Sequence, residues 1–313
     1  MTGLPMIIDT DPGVDDAVAL ALAAGSPEVD LLAITTVFGN VGLDTTTSNA
    51  LRLRELTGLG HVPVAAGAAR PLVRPQAERA ESWHAVDGLG GRAADLPEPE
   101  GPLHARGAVS LLADLLLGAE QPVTLVAIGP LTNIALLFAA YPEVKPQVRR
   151  LVVMGGSLAG GNTTPVAEFN VHCDPEAACR VLVEEDVPTT LVPLDLTLRC
   201  TVDTAWLAEL AAAGPRCALL AGVVDHYRRR FLHSYGRDEV ALHDALAVLE
   251  AALPGTLRTT PMPLDVVCDL GPRRGALLAD RRPAALGRLV DVALEADREQ
   301  VNGLVLDRLR ALG

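Results

Sequence analysis

Short continuous runs of apolar residues alternate along the chain with stretches in which apolar residues recur at helical spacing. Continuous runs predict strands of a sheet that is covered on both faces, because a half-exposed strand would alternate apolar and polar residues. Predicted strands cover residues 6–8, 31–37, 62–66, 123–128, 151–154, 190–194 and 264–268. Predicted helices cover residues 15–24, 45–57, 105–117, 131–140, 175–184, 204–210, 216–231, 244–252 and 298–311. This order predicts an α/β fold with one open, mostly parallel, Rossmann-like sheet flanked by helices.

Residues 70–102 break the alternation. This segment is rich in proline, glycine and charge, and it contains the sequence WHAVDGLGG at 83–91. Such a segment is either a surface excursion or a loop that reaches over a ligand site. Because the sequence shows no internal repeat and no clear linker, we expect residues 1–313 to form a single domain with an irregular loop insertion at about 70–102.

Composition and charge narrow the range of partners. Apolar residues make up 49% of the chain and aromatic residues only 3%, so alanine, leucine and valine must fill the core. The net charge of −13 repels phosphate backbones and anionic lipids, so we expect a small neutral substrate or a cation, and neither nucleic acid nor membrane. Five scattered cysteines, no basic leader and no apolar run of about 20 residues predict a cytoplasmic protein.

The densest cluster of acidic side chains in the sequence follows the first predicted strand. Four aspartates, Asp9, Asp11, Asp15 and Asp16, stand within eight residues, and Pro12-Gly13 between them predicts a tight turn into a helix. Carboxylates this close repel each other unless protons or a cation neutralise them. Carboxylate oxygens are the ligands that Ca²⁺ and Mg²⁺ prefer. The loop therefore predicts a divalent metal site at the carboxyl end of this strand.

An aspartate pair of this spacing also suggests a Mg²⁺-dependent phosphatase similar to the haloacid dehalogenases. In that interpretation Asp9 is the nucleophile and Asp11 is the acid/base. Such a phosphatase needs a lysine to neutralise its phosphorylated intermediate, and the one lysine of the sequence, Lys145, stands in a predicted surface helix end. The phosphatase is therefore the weaker alternative, and a non-catalytic nucleoside-binding protein of the same fold is a third.

Three further segments also place polar groups at strand ends or helix starts. Ile128 ends a predicted strand and can offer its backbone carbonyl, and Met154 ends the next strand before Gly-Gly-Ser. His243 and Asp244 begin an apolar helix far downstream. Together, the segments DTDPGVDDAVAL, ITTVFGN, GPLTNIA, VVMGGS, AEFN, HCDPEAA and LHDALAV resemble the nucleoside hydrolases, the inosine-uridine-preferring N-ribohydrolase family. They occur in the family's order, and residues 266–309 resemble its carboxy-terminal part.

The resemblance implies the nucleoside hydrolase fold, a bound Ca²⁺ and hydrolysis of the N-glycosidic bond of ribonucleosides to ribose and a free base. The implied ligands of the ion are Asp11, Asp16, Asp244 and the carbonyl of Ile128. Asp11 would also help to deprotonate the attacking water. The implied ribose contacts are Asp15, Asn40, Asn162, Glu168 and Asn170, with Met154 packing nearby. The family also implies a homodimer or a homotetramer.

The residues themselves agree with this chemistry. Cleavage of an N-glycosidic bond passes through an oxocarbenium-like state, which nearby carboxylates stabilise. A bound metal lowers the pKa of water and so provides a nucleophile near neutral pH. The leaving base needs a proton or a strong hydrogen bond, and His243 beside Asp244 is the candidate for this acid role. The alternative is that His243 only orients Asp244.

The base pocket has weaker sequence signals. His84 resembles the family's loop histidine, but the family usually shows His-Gly-x-x-Gly-Leu-Gly where this chain has Ala85 and Val86 after the histidine. Aromatic rings stack on flat heterocycles, although the same residues could serve as core. The candidate base contacts on and after the predicted helix at 216–231 are Tyr227, Phe231, His233 and Tyr235.

Overall fold

The computed structural model describes residues 3–76, 79–282 and 284–313, and within them a nine-stranded sheet runs in the order β10-β9-β11-β6-β5-β4-β1-β2-β3. The strands are β1 Leu4–Thr10, β2 Val29–Thr36, β3 Val64–Ala66, β4 Val123–Ala127, β5 Val148–Met154, β6 Thr189–Val192, β7 Thr201–Asp203, β8 Glu239–Ala241, β9 Arg258–Val266, β10 Leu277–Ala279 and β11 Leu289–Glu295. The sheet is parallel from β3 to β11, and β9 and β10 are antiparallel at one edge. β7 and β8 form a separate antiparallel ribbon. The predicted α/β class with a mostly parallel sheet is confirmed.

Helices cover both faces of the sheet. They are α1 Val14–Ala24, α2 Leu43–Leu56, α3 Glu81–His84, α4 Ala108–Leu117, α5 Thr132–Ala140, α6 Phe169–Cys173, α7 Pro175–Cys179, α8 Leu194–Thr197, α9 Thr204–Ala212, α10 Pro215–Tyr235, α11 His243–Ala252 and α12 Arg298–Arg310. Side chains of each strand alternate between two cores: Met6 and Ile8 pack on the α1 and α11 side, whereas Ile7 packs on the α4 and α5 side. Both strand faces are therefore apolar, which explains the continuous apolar runs. None of the helices in the described ranges has the length and apolarity that a membrane crossing requires.

The predicted strands all occur, but the carboxy-terminal part of the sheet was only partly predicted. The strand expected at 264–268 is β9, which begins at Arg258 and contains Pro261 and Pro263. Proline lacks the N–H that a central strand uses, so a segment with two prolines does not itself predict a strand. β7, β8 and β10 are three residues long, and β11 alternates apolar and polar residues, so the run-based prediction missed all four.

The order of the strands explains where ligands can collect. β2, β1, β4 and β5 are parallel neighbours, so the loops that follow them open at the same edge of the sheet. Backbone hydrogen bonds tie these loops together: the Ile128 amide donates to the Asp9 carbonyl and the Val37 amide donates to the Thr10 carbonyl. The irregular segment 70–102 contributes α3 and a 3₁₀ turn at Ala93–Asp95, while residues 77 and 78 lie outside the described residues.

Candidate active site

Buried carboxylates form one end of the site. Oxygens of Asp15, Asp16 and Asp244 lie within 4.8 Å of one another, and Asp11 is completely buried beside them. Among the described residues, Asp11 Oδ1 and Asp15 Oδ1 are buried and have no hydrogen-bond partner. Unpaired buried carboxylate oxygens are costly unless protons or a cation satisfy them. The donor set, made of hard oxygens, fits a divalent cation such as Ca²⁺ or Mg²⁺.

The turn after β1 is built around these carboxylates. The Thr10 hydroxyl donates to Asp16 Oδ1 at 2.5 Å, and the Gly13 amide donates to Asp16 Oδ2 at 2.8 Å. The Asn40 amide donates to Asp11 Oδ2 at 2.7 Å. A Cβ atom on Gly39 would lie 1.9 Å from Asp11 Oδ2, so only glycine leaves room for this carboxylate. Neighbouring donors and the small Gly39 thus fix the carboxylates of Asp11 and Asp16.

Burial raises the pKa of each of these carboxyls, and repulsion from neighbouring aspartates adds to the rise for Asp11, Asp15 and Asp244. Burial, then the charges of Asp16 and Asp15, raise the pKa of Asp11 well above its usual range. Burial and the Asp16 charge raise the pKa of Asp15 to about 8, and burial with the neighbouring aspartates raises the pKa of Asp244 strongly. A bound cation would favour the charged forms and so lower these pKa values again. The cluster is therefore suited to release protons when it binds a cation.

The carboxylates open into one cavity that is lined by apolar, aromatic and polar side chains, a composition typical of small-molecule sites. Its lining contains Asp15, Asn40, Ala80, Trp83, His84, Ile128, Met154, Asn162, Thr163, Glu168, Phe169, Asn170, Leu194, Tyr227, Phe231, Tyr235, His243 and Asp244. The residues predicted to bind the ion or the substrate line this cavity, with the exceptions of Asp11 and Asp16, which are buried beside it, and of His233. His233 is exposed and is not among the lining residues of the described chain, so the cavity gives no support to its expected contact with the base.

Polar groups surround the middle of the cavity. Asn170 donates from Nδ2 to the carbonyls of Ile128 at 3.0 Å and Met154 at 3.2 Å. Glu168 caps α6 and accepts hydrogen bonds from the amides of Gly156, Asn170 and Val171. Burial raises the pKa of Glu168 to about 7, against the lowering effect of these amides. Asn162 lies on an exposed loop, and its side-chain oxygen accepts from the Phe169 amide.

Aromatic rings form the other end of the cavity. Five of the nine aromatic residues of the chain line it: Trp83, Phe169, Tyr227, Phe231 and Tyr235. Trp83 meets Tyr227 edge-on at 5.5 Å, and the Phe231 and Tyr235 rings lie 4.5 Å apart. Trp83, Phe169 and Leu194 were not predicted as lining residues. A tryptophan next to the loop histidine in an otherwise polar segment was the one available signal.

Two histidines stand between the aromatic and acidic ends. The Val14 amide donates to His84 Nδ1 at 3.0 Å, and the His84 ring stacks on Tyr227 at 5.2 Å. His243 Nδ1 lies 2.6 Å from the Thr197 hydroxyl. Burial, with the charges of His243 and His226, lowers the pKa of His84 to about 3, and burial lowers the pKa of His243 to about 4. Both rings are therefore neutral near pH 7 and can act there as hydrogen-bond donors or acceptors.

Two departures from the family's loop pattern have structural consequences. Ala85 has a φ of 64° and a ψ of 172°, a conformation that favours glycine, which explains why the family usually has glycine at this position. Val86 is 78% exposed and is not among the cavity-lining residues of the described chain.

Lys145 does not serve the acidic cluster. It forms an ion pair with Glu185, which also pairs with Arg180, and it is not among the cavity-lining residues in the described ranges. The lysine that a haloacid dehalogenase-like phosphatase requires is thus engaged elsewhere.

The chain is similar to proteins of known activity over nearly its whole length. Residues 6–303 match the family model described as inosine-uridine preferring nucleoside hydrolase. The non-specific ribonucleoside hydrolase RihC of Klebsiella pneumoniae is 43% identical over 82% of each chain, and the inosine-uridine preferring nucleoside hydrolase of Leishmania major is 37% identical over 98% of each chain. Among solved structures, the plant nucleoside hydrolase PpNRh1 superimposes with a TM-score of 0.92 at 30% identity, covering 98% of this chain and 99% of that one. The purine-preferring ribonucleoside hydrolase from Gardnerella vaginalis gives 0.91 at 28% identity, covering 98% of both chains.

Proposed function

The chain belongs to the inosine-uridine preferring nucleoside hydrolase family, whose members cleave the N-glycosidic bond of ribonucleosides, and from this premise we propose that it does so with a bound Ca²⁺. One observation carries the proposal: a single cavity joins a buried acidic cluster, a polar middle and an aromatic end. These three regions match the cation, the ribose and the base in turn. The fold and family leave no role for the phosphatase alternative.

We propose Asp11, Asp16, Asp244 and the Ile128 carbonyl as the groups that hold the ion. The unpaired Asp11 Oδ1 supports this assignment, as does the short distance between the Asp16 and Asp244 oxygens. Asp15 lies in the same cluster, but it also lines the cavity, which favours a role in binding ribose. When bound, the cation supplies the Lewis acidity that makes water nucleophilic near neutral pH.

The chain's own residues would then perform three tasks. Asp11, a carboxylate whose pKa is raised by burial, accepts a proton from the attacking water. The carboxylates and amides of Asp15, Asn40, Asn162, Glu168 and Asn170 hold the ribose hydroxyls, and the negative charge stabilises the oxocarbenium-like transition state. His243 donates a hydrogen bond to the leaving base, which departs toward His84 and the aromatic rings.

We further propose that the enzyme is a single-domain protein that acts in the cytoplasm as a homodimer or a homotetramer. Its acidic surface and its five free cysteines support an intracellular setting. Light scattering coupled to size exclusion measures the assembly, and a monomer at all concentrations would contradict this part of the proposal.

The decisive experiment incubates the protein with inosine, uridine and a phosphate monoester, with and without a chelator. We expect ribose release that stops on chelation and returns with Ca²⁺. The variant Asp11→Ala should be inactive, whereas Asp30→Ala, at an exposed aspartate, is the matched control and should be active. Nucleoside binding without ribose release would favour the non-catalytic alternative, and chelator-insensitive turnover would overturn the role of the metal.

A further inference from the structure

A buried threonine contacts the histidine of the proposed acid role. Thr197 is the last residue of α8, which begins directly after β6 and Pro193, and its side chain is fully buried. Its hydroxyl lies 2.6 Å from His243 Nδ1. Thr197 is not among the cavity-lining residues of the described chain, so it reaches a ligand only through His243.

This contact determines which side of the ring a ligand meets. His243 lines the cavity, and its Nδ1 is occupied by Thr197. Within residues 3–76, 79–282 and 284–313, His243 Nε2 has no hydrogen-bond partner and is not sealed from solvent. Nε2 is therefore the nitrogen that is available to a leaving base.

The same contact also determines where the proton of the neutral ring resides. The Thr197 hydroxyl has one proton and two acceptors within reach, His243 Nδ1 at 2.6 Å and the Leu194 carbonyl at 3.3 Å. The shorter contact favours donation to Nδ1, and a neutral imidazole that accepts at Nδ1 carries its proton on Nε2. Donation to Leu194 instead would leave Nε2 as an acceptor, unable to give a hydrogen bond to the base.

The Nδ1 atom of His84 is also held by a hydrogen-bond donor, but this donor is a backbone amide, which cannot act as an acceptor. The Val14 amide can only donate, so a neutral His84 must accept at Nδ1 and carry its proton on Nε2. Tyr227 lies between the two rings, 5.2 Å from His84 and 6.3 Å from His243. Both histidines are thus held by a donor at Nδ1, and Thr197 performs for His243 the task that the backbone performs for His84.

We propose that Thr197 is a positioning residue for leaving-group activation, which orients the His243 ring and keeps its proton on the nitrogen that faces the base. The inference rests on the proposed function, because it needs a base that departs at His243. It predicts that loss of the hydroxyl affects only substrates whose leaving group requires activation.

The test compares Thr197→Val and Thr197→Ser on inosine and on p-nitrophenyl β-D-riboside, whose leaving group departs as a stable anion. We expect Thr197→Val to lower kcat for inosine about 10- to 100-fold, as expected for a lost buried hydrogen bond that acts in the transition state. The nitrophenyl riboside should change less than about threefold, and Thr197→Ser should restore inosine turnover to within about threefold of wild type. If Thr197→Val does not fold, Thr197→Ala removes the same hydroxyl without adding bulk.

Two controls separate positioning from a structural effect. Thr124→Val removes the hydroxyl of another buried threonine, one that has no hydrogen-bond partner among the described residues, and should be neutral on both substrates. In a His243→Ala background, Thr197→Val should cause no further loss with inosine, because the two residues act as one unit. Equal losses on both substrates, or full additivity with His243→Ala, would overturn the inference while leaving the hydrolase activity intact. A wild-type protein that cleaves neither substrate would overturn the proposed function and the inference with it.

Discussion

Replacing Asp9 with asparagine tests the electrostatics of the turn after β1. Asp9 is buried, its Oδ1 accepts hydrogen bonds from Thr35 at 2.5 Å and Asn133 at 2.8 Å, and its Oδ2 has no partner among the described residues. Burial raises the pKa of Asp9 from 3.8 to about 7, against the lowering effect of these two bonds. An asparagine keeps an oxygen for Thr35 and Asn133 but cannot ionise.

The raised pKa of Asp9 determines the sign and the size of its pH-dependent contribution to the free energy of unfolding. Well below its unfolded pKa of 3.8, the carboxyl is protonated in the folded and the unfolded chain, so it has no pH-dependent cost there. As the pH rises, the unfolded chain ionises first, and stability is lost until the folded carboxyl ionises near pH 7. A shift of about 3 units corresponds to about 4 kcal/mol in total, of which about 3 kcal/mol falls between pH 5 and pH 8.

Chemical denaturation of the chelated wild type and of Asp9→Asn at pH 5 and pH 8 measures this difference. Between pH 5 and pH 8, we expect the free energy of unfolding to fall by about 3 kcal/mol more in the wild type than in the variant. This difference does not depend on the variant's stability at pH 5. Equal losses would refute the account of Asp9. The same variant should also hydrolyse inosine with added Ca²⁺, because Asp9 is not a proposed ligand or nucleophile; complete inactivity with an intact fold would contradict this.

Four further outcomes can be checked. Asp11→Ala should abolish ribose release while circular dichroism stays native, and residual turnover near the wild-type rate would remove Asp11 from the mechanism. His243→Ala should slow substrates with poor leaving groups most, and an equal loss for all bases would indicate a structural role. Calorimetric Ca²⁺ affinity should rise with pH and proton release should accompany binding, since burial and the neighbouring aspartates raise the pKa of the proposed ligands Asp11 and Asp244; a pH-independent affinity would contradict this ligand set. Ala85→Gly should stabilise the protein by about 1 kcal/mol by relieving a positive φ, and a lower denaturation midpoint would contradict strain at this residue.

Much of the fold could be predicted because its signals are local. β4 is buried throughout and the second half of β5, residues 151–154, is apolar on both faces, so their sequences alone distinguish them from loops. β9 and β11 could not be recognised in the same way, because their pairing depends on partners that are distant in sequence. Pro261 and Pro263 are tolerated in β9 because the pairing of β9 with β11 accommodates them. That pairing is a feature of the tertiary structure and cannot be read from the local sequence.

The residues of the candidate site likewise divide into those with a local sequence signal and those without one. The acidic turn was predictable because Asp11, Asp15 and Asp16 lie within six residues, so that their mutual repulsion and their suitability for a cation follow from neighbours in the sequence. The contacts of Trp83 and Thr197 could not be predicted from the residues around them. Trp83 reaches the cavity because α3 packs beside α10, and Thr197 meets a histidine 46 residues away because α8 ends beside α11. Such contacts depend on how elements are arranged in space, not on sequence spacing.

The hydrogen bond between the Val14 amide and His84 has a consequence for attempts to engineer base preference. A Cβ atom on Gly13 would lie 2.6 Å from His84 Nδ1, so the acidic turn and the loop that we propose to face the base are in direct contact. The two segments are therefore not interchangeable modules. Grafting a relative's 70–102 segment to alter base preference would leave the buried Val14 amide without an acceptor, unless a histidine returns to the same place. Selectivity for the base and affinity for the cation should consequently change together.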